Sequence, residues 1–163
     1  MPMKLRYEDP FVRIVSLKSL MISAWFNAPT MQHLRQLKKA IDEHLQEIMP
    51  AKQVFVTVVV NGTPNFADDV RAESWNLAQR NAPLRQAVAQ IVELSGLRGI
   101  AARSFMSSML LHSRKFVPTR IFDNVADAAK WLLPYLKENE DWTEEQILAT
   151  YRFAAQHPPA FKT

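Results

Sequence analysis

Cysteine is absent from this 163-residue chain, and glycine occurs only three times. Without cysteine there is no disulfide framework, no thiol nucleophile and no thiolate metal site. With Gly62, Gly96 and Gly99 as the only glycines, neither a P-loop nor a G-x-G-x-x-G dinucleotide fingerprint can be written anywhere. No G-x-S-x-G pentapeptide marks a hydrolase nucleophile. No apolar run approaches the roughly 20 residues of a membrane-spanning helix. The opening MPMKLRYEDPF lacks the apolar core of a secretory leader. The expectation is a cytoplasmic protein, in which the Asn61-Gly62-Thr63 sequon never meets the glycosylation machinery.

Hydrophobic residues make up 48% of the chain and charged residues 22%, which excludes a disordered polymer and fits one domain with a real core. The net charge is +4. From Arg71 to Arg120 eight basic residues face only Glu73 and Glu93, whereas Glu138 to Glu145 is wholly acidic in its charges. These blocks read as solvated faces. The basic segment has no aromatic-basic repeat or other nucleic-acid signature, so nucleic acid is disfavoured as a partner.

Two β-rich runs, VRIVSL and LMISAWF, flank Lys18-Ser19 and predict a hairpin. Thr30 caps a helix whose Leu34, Leu37, Ile41, Leu45 and Ile48 recur at helical spacing. VFVTVVV, from Val54 to Val60, is apolar almost without interruption, the mark of a strand covered on both faces. A helix follows from Asp68 to Gln79, then a strand from Gln86 to Leu94, a helix from Leu97 to Ser113, the short strand TRIFD, and the helix VADAAKWLLPYL behind Asp123 or Asn124. The predicted class is α/β: a mixed, mostly parallel sheet of about five strands packed by helices, ordered β-β-α-β-α-β-α-β-α, with one further helix. Its core is expected to hold Val12, Ile14, Val56, Val58, Val60, Val88, Ile91 and Ile121, closed at one end by Trp131 and Leu132.

This succession, the uninterrupted third strand and the closing FDNVADAAKWL resemble a STAS-type domain of the SpoIIAA-like kind over Phe11 to Leu136. The resemblance implies residues 11–137 as the STAS-like domain, residues 1–10 as an N-terminal extension and residues 138–163 as a capped helix and tail. It also implies a non-enzymatic bacterial regulator acting by protein binding. The best-known members of that family are switched by phosphorylation of a serine in an Asp-x-Ser-Gly-type turn after the third strand. Here that turn reads Asn61-Gly62-Thr63-Pro64-Asn65 with no serine. Thr63 is the sole hydroxyl near the position, and no phosphorylation is expected there.

The histidines offer no local catalytic or metal pattern. His33 and His44 share a helix but stand about 16 Å apart at 1.5 Å per residue, so no metal, cofactor or enzymatic activity is expected. Two other features bear on function. In SGLRG, Gly96, Arg98 and Gly99, with Arg103 one turn on, place glycines and guanidinium groups at a helix start, where an anion or lipid headgroup could sit. The competing reading makes the glycines packing devices. The helix itself carries Phe105, Met106, Met109 and Leu110, an apolar surface suited to another protein or a second copy of this one.

The tail DWTEEQILATYRFAAQHPP combines a Thr143/Gln146 capping box with a Trp142/Ile147 staple. Its apolar stripe of Ile147, Leu148, Tyr151, Ala154 and Ala155 is expected to pack on the chain's own surface, its acidic entry facing the basic Arg98 to Arg120 region.

Overall fold

A computed structural model describes residues 2–62, 67–113 and 115–157, with the side chains of residues 108, 109, 112 and 113 excepted. Thr63 and the Met109 side chain therefore lie outside the described residues.

The hairpin forms as β2 (Val12–Leu17) and β3 (Leu20–Trp25), joined by Lys18, whose φ of 49° lies in the left-handed region, and Ser19. Beyond them come α1 (Met31–Ile48), β4 (Gln53–Val59), α2 (Asp68–Asn81), β5 (Arg85–Val92), α3 (Gly96–Ser113), β6 (Thr119–Phe122), α4 (Val125–Lys137) and α5 (Glu144–Ala155). The sixth strand is β1 (Lys4–Glu8), which pairs antiparallel with β2 in a segment that the sequence placed in an extension. The expectation of about five strands missed it because an edge strand needs little apolar patterning. Lys4 and Arg6 instead bind Glu47 of α1, at 3.0 and 2.6 Å, and these hydrogen bonds hold the Glu47 carboxyl down at about 2.

The sheet order is sequential, β1 to β6, antiparallel up to β3 and parallel from there on. Each parallel step advances in one direction, so crossovers of one hand place α1, α2 and α3 on the same face. The opposite face is covered by α4 and α5.

The two faces differ in the side chains that reach them. Alternation along β4 sends Val54, Val56 and Val58 towards α4 and α5, together with Ala87, Ala89 and Ile91 of β5. Small and β-branched residues let those helices approach closely, and the core there is continuous with Leu132, Leu136, Trp142, Ile147 and Tyr151. Towards α1 to α3 the same strands send Phe55, Thr57, Val59, Val88 and Gln90. That face holds polar residues and is less filled. Of the expected core, Val12, Ile14, Val56, Val58, Ile91 and Leu132 are buried, while Val60, Val88, Ile121 and Trp131 are half-buried.

α5 starts as the spacing predicts: the Thr143 hydroxyl accepts from Gln146 N–H at 3.2 Å, and Gln146 accepts from Thr143 N–H at 3.1 Å. It packs on β2, β3 and α4, away from the basic segment. Its acidic entry meets Ser19 through Glu140 and accepts from Lys18 at the Asp141 carbonyl, so apolar burial rather than long-range charge decides where it docks. Arg13 closes the other end, donating to the carbonyls of Phe153 and Gln156 and to Glu8, which suits a cation at a helix C-terminus.

Candidate ligand-binding cavity

The polar residues on the open face of the sheet line a cavity of about 210 Å³ roofed by α1, α2 and α3. Phe55, Val88 and Gln90 form its floor, Leu34 and Leu77 belong to its α1 and α2 walls, and Ala102, Phe105, Met106 and Leu110 of α3 line it as well. Near the C-terminal ends of β3 and β4 the lining turns polar, with Asn27, Asn61 and Gly62. From Val59 at that end to the level of Arg85, which pairs with Gln53 in the ladder, the lining runs about 20 Å along the strands at 3.3 Å per residue.

Among the described residues Arg85 is the charged member of this lining. It opens β5, and strict alternation from Ala87, Ala89 and Ile91 would turn it towards α4. A register shift between Gln53 and Val54 of β4, which pair with Arg85 and Ala87, reverses that parity. The irregularity sends Arg85 into the cavity and leaves Gln86 to reach Glu138 at the end of α4. The guanidinium lies over the Phe55 ring, 4.1 Å from its centroid, and is 7% exposed. Burial pulls its pKa down to about 10, so it stays charged at neutral pH. Among the described residues no carboxylate or carbonyl pairs with it, and its Nε is buried without a hydrogen-bond partner. Gln90 Oε1 is likewise buried and unpartnered.

The helix-start residues are spread over separate tasks. Gly96 adopts φ +66°, a conformation that glycine enters without strain, with open space where a Cβ would stand. At Gly99 a Cβ would fall 2.0 Å from the Leu94 carbonyl oxygen, so this glycine lets α3 close onto the end of β5. Arg98 is exposed and reaches Asn61 Oδ1 at 3.4 Å, whereas Arg103 turns to the Val92 and Leu94 carbonyls at 3.5 and 3.4 Å. Phe105, Met106 and Leu110 point into the cavity rather than outwards. The outward apolar residues are Leu97, Ile100 and Leu111 on α3, with Phe116 just beyond.

The fold also assembles a hydroxyl-imidazole-carboxylate chain that the sequence does not announce. Thr30 Oγ1 lies 2.9 Å from His33 Nδ1, and His33 Nε2 lies 2.8 Å from Asp9 Oδ2. Burial opposes ionisation of Asp9, but hydrogen bonds from Phe11 N–H, the Tyr7 hydroxyl and Val12 N–H outweigh it and lower its pKa. The imidazole is committed to its own helix: Nδ1 also accepts from Thr30 N–H at 3.1 Å, closing a capping box in which histidine replaces the usual Glu or Gln. Its role is to fasten the start of α1 to the β1–β2 connection. His44 does the same near the other end of α1, its Nε2 donating to the Lys18 carbonyl at 2.7 Å and Nδ1 accepting from Gln53 at 2.7 Å.

Comparison with protein-family models, with curated proteins and with solved structures gives no match to this chain. Among the described residues no helix is long and apolar enough to cross a membrane.

Proposed function

We propose that this chain is a non-enzymatic, STAS-like regulatory domain, cytoplasmic and of bacterial type, that binds a small apolar ligand beneath α3 and relays it through a protein contact on the outside of that helix. The observation that carries this reading is the two-sided character of α3: Ala102, Phe105, Met106 and Leu110 line the cavity, while Leu97, Ile100 and Leu111 face outwards, Leu97 with 84% of its surface exposed. A helix that is apolar on both sides has something to cover on each. Arg98 and Lys115 adjoin Leu97 and Phe116 in sequence, so the partner is expected to offer an apolar segment with acidic flanks. The cavity exceeds the roughly 150 Å³ at which an engineered apolar void takes up benzene.

Toluene is a neutral probe of the right size. It should raise the melting temperature of the protein by mass action. Ala102→Phe, which fills the cavity from α3, should raise the melting temperature alone and abolish the response to toluene. A protein indifferent to toluene and destabilised by Ala102→Phe would have a closed core at this place.

A further inference from the structure

We propose that the cavity takes an apolar monocarboxylate whose head is held by Arg85. The proposal rests on the ligand-binding reading above and adds the chemical class. Three observations converge on it: burial, the lack of a charged partner and the register shift. The Arg85 side chain is buried within the cavity wall, and among the described residues its one partner is the face of Phe55. With Nε buried and the guanidinium over the ring, up to four Nη–H donors are left for an acceptor in its plane. The Nη edge is the shape that a carboxylate meets with two parallel hydrogen bonds. The register shift in β5 spends a regular ladder position to turn this side chain inwards, and such irregularities re-aim side chains at functional sites.

The rest of the cavity narrows the choice. Among the described residues Arg85 is the one charged side chain of the lining, so one negative charge is matched and two are not. That favours a carboxylate over a phosphate dianion, whose second charge would be buried without compensation. The body of the ligand lies along Phe55, Val88, Leu77 and Met106, which supply apolar contact and no charge. A volume of about 210 Å³ suits a substituted ring or a medium-length chain.

The test is calorimetric titration at pH 7.5 with 3-phenylpropanoate, the matched neutral 3-phenylpropan-1-ol and phenethyl phosphate. Wild-type protein should bind the carboxylate about tenfold or more tightly than the alcohol, the value of one charge-assisted hydrogen bond, and more tightly than the phosphate. Arg85→Met should remove that preference and leave the alcohol bound as before, while Arg85→Lys, which keeps the charge but not the fork, should restore part of it. Should Arg85→Met not fold, the wild-type preference and the Arg85→Lys titration decide. Alcohol and acid binding equally, or phosphate binding best, would overturn the carboxylate assignment while leaving a ligand cavity in place. Failure of all three to bind would remove the cavity reading together with it.

Discussion

The Arg85 guanidinium rests 4.1 Å above the centroid of the Phe55 ring, on neighbouring strands β5 and β4, with no carboxylate beside it among the described residues. A cation–π contact of this kind recovers about 2 kcal/mol when desolvated. Keeping an unpaired guanidinium out of water costs several kcal/mol in the opposite direction. In the ligand-free protein Arg85→Met should therefore be stabilising by about 1 kcal/mol, read as a higher urea midpoint at unchanged slope. A lower midpoint would make Arg85 a structural residue.

The sheet assignment makes a sharper demand on Val58. It is wholly buried at the centre of the sheet, on the side covered by α4 and α5, between Ala24 and Ile91 on the flanking strands. Val58→Asp buries a charge without a partner at a cost of about 4 kcal/mol or more, most of the stability of an ordinary domain. No cooperative unfolding transition should survive, as measured by circular dichroism against urea. A two-state transition near the wild-type midpoint would contradict the central placement of β4.

Much of this was legible in the sequence because local pattern and tertiary role agree. Thr30, Thr143 and Asn124 each cap the helix that their position announces, accepting from the backbone N–H three residues on. VFVTVVV is central because both its faces are covered. The cavity was less visible, though it left a trace: Thr57 and Gln90 are polar residues between apolar neighbours in their strands, and they sit opposite each other in the ladder. Arg85 left none, since its orientation depends on a register shift between two strands that are distant in sequence. The capping role of His33 joins Asp9 to Thr30, a contact that only the folded chain creates. For α3 the sequence showed an apolar helix but not which side faces inwards, because apolar residues occur on both.

The C-terminal helix is part of the core. Trp142, Ile147, Tyr151 and Ala154 are buried in the same cluster as Val15, Leu20 and Ile22, and each large apolar side chain contributes about 1.5–3 kcal/mol. Truncation after Lys137 should leave a chain that binds a hydrophobic dye and lacks a cooperative thermal transition. The milder Arg13→Ala, which frees the Phe153 and Gln156 carbonyls and leaves Glu8 without its partner, should cost about 2–4 kcal/mol and keep the fold. A truncated chain as stable as the whole would show that α5 docks elsewhere in solution.

His44 sets a pH dependence. Burial lowers its pKa, outweighing the hydrogen bond to the Lys18 carbonyl, and its side chain is only 1% exposed. Below about pH 6.5, the ordinary value, the unfolded chain takes up a proton that the native state resists. Stability should be level above that pH and fall as the pH drops from there towards the depressed native value. His44→Gln should be less stable at pH 7.5 but lose less between pH 6.5 and 5, a window above the range in which Asp9 titrates. Urea titrations of both proteins across that range decide it, and equal slopes would free His44 of the effect.

The most direct measurement of a ligand cavity under α3 is an intermolecular nuclear Overhauser experiment on isotope-labelled protein with toluene. Ring protons of toluene should show contacts to the methyl groups of Ala102, Met106 and Val88, which line the cavity. Contacts confined to Leu97, Ile100 and Leu111, or none at all, would place apolar ligands on the outer face of α3 or nowhere, and would contradict the account.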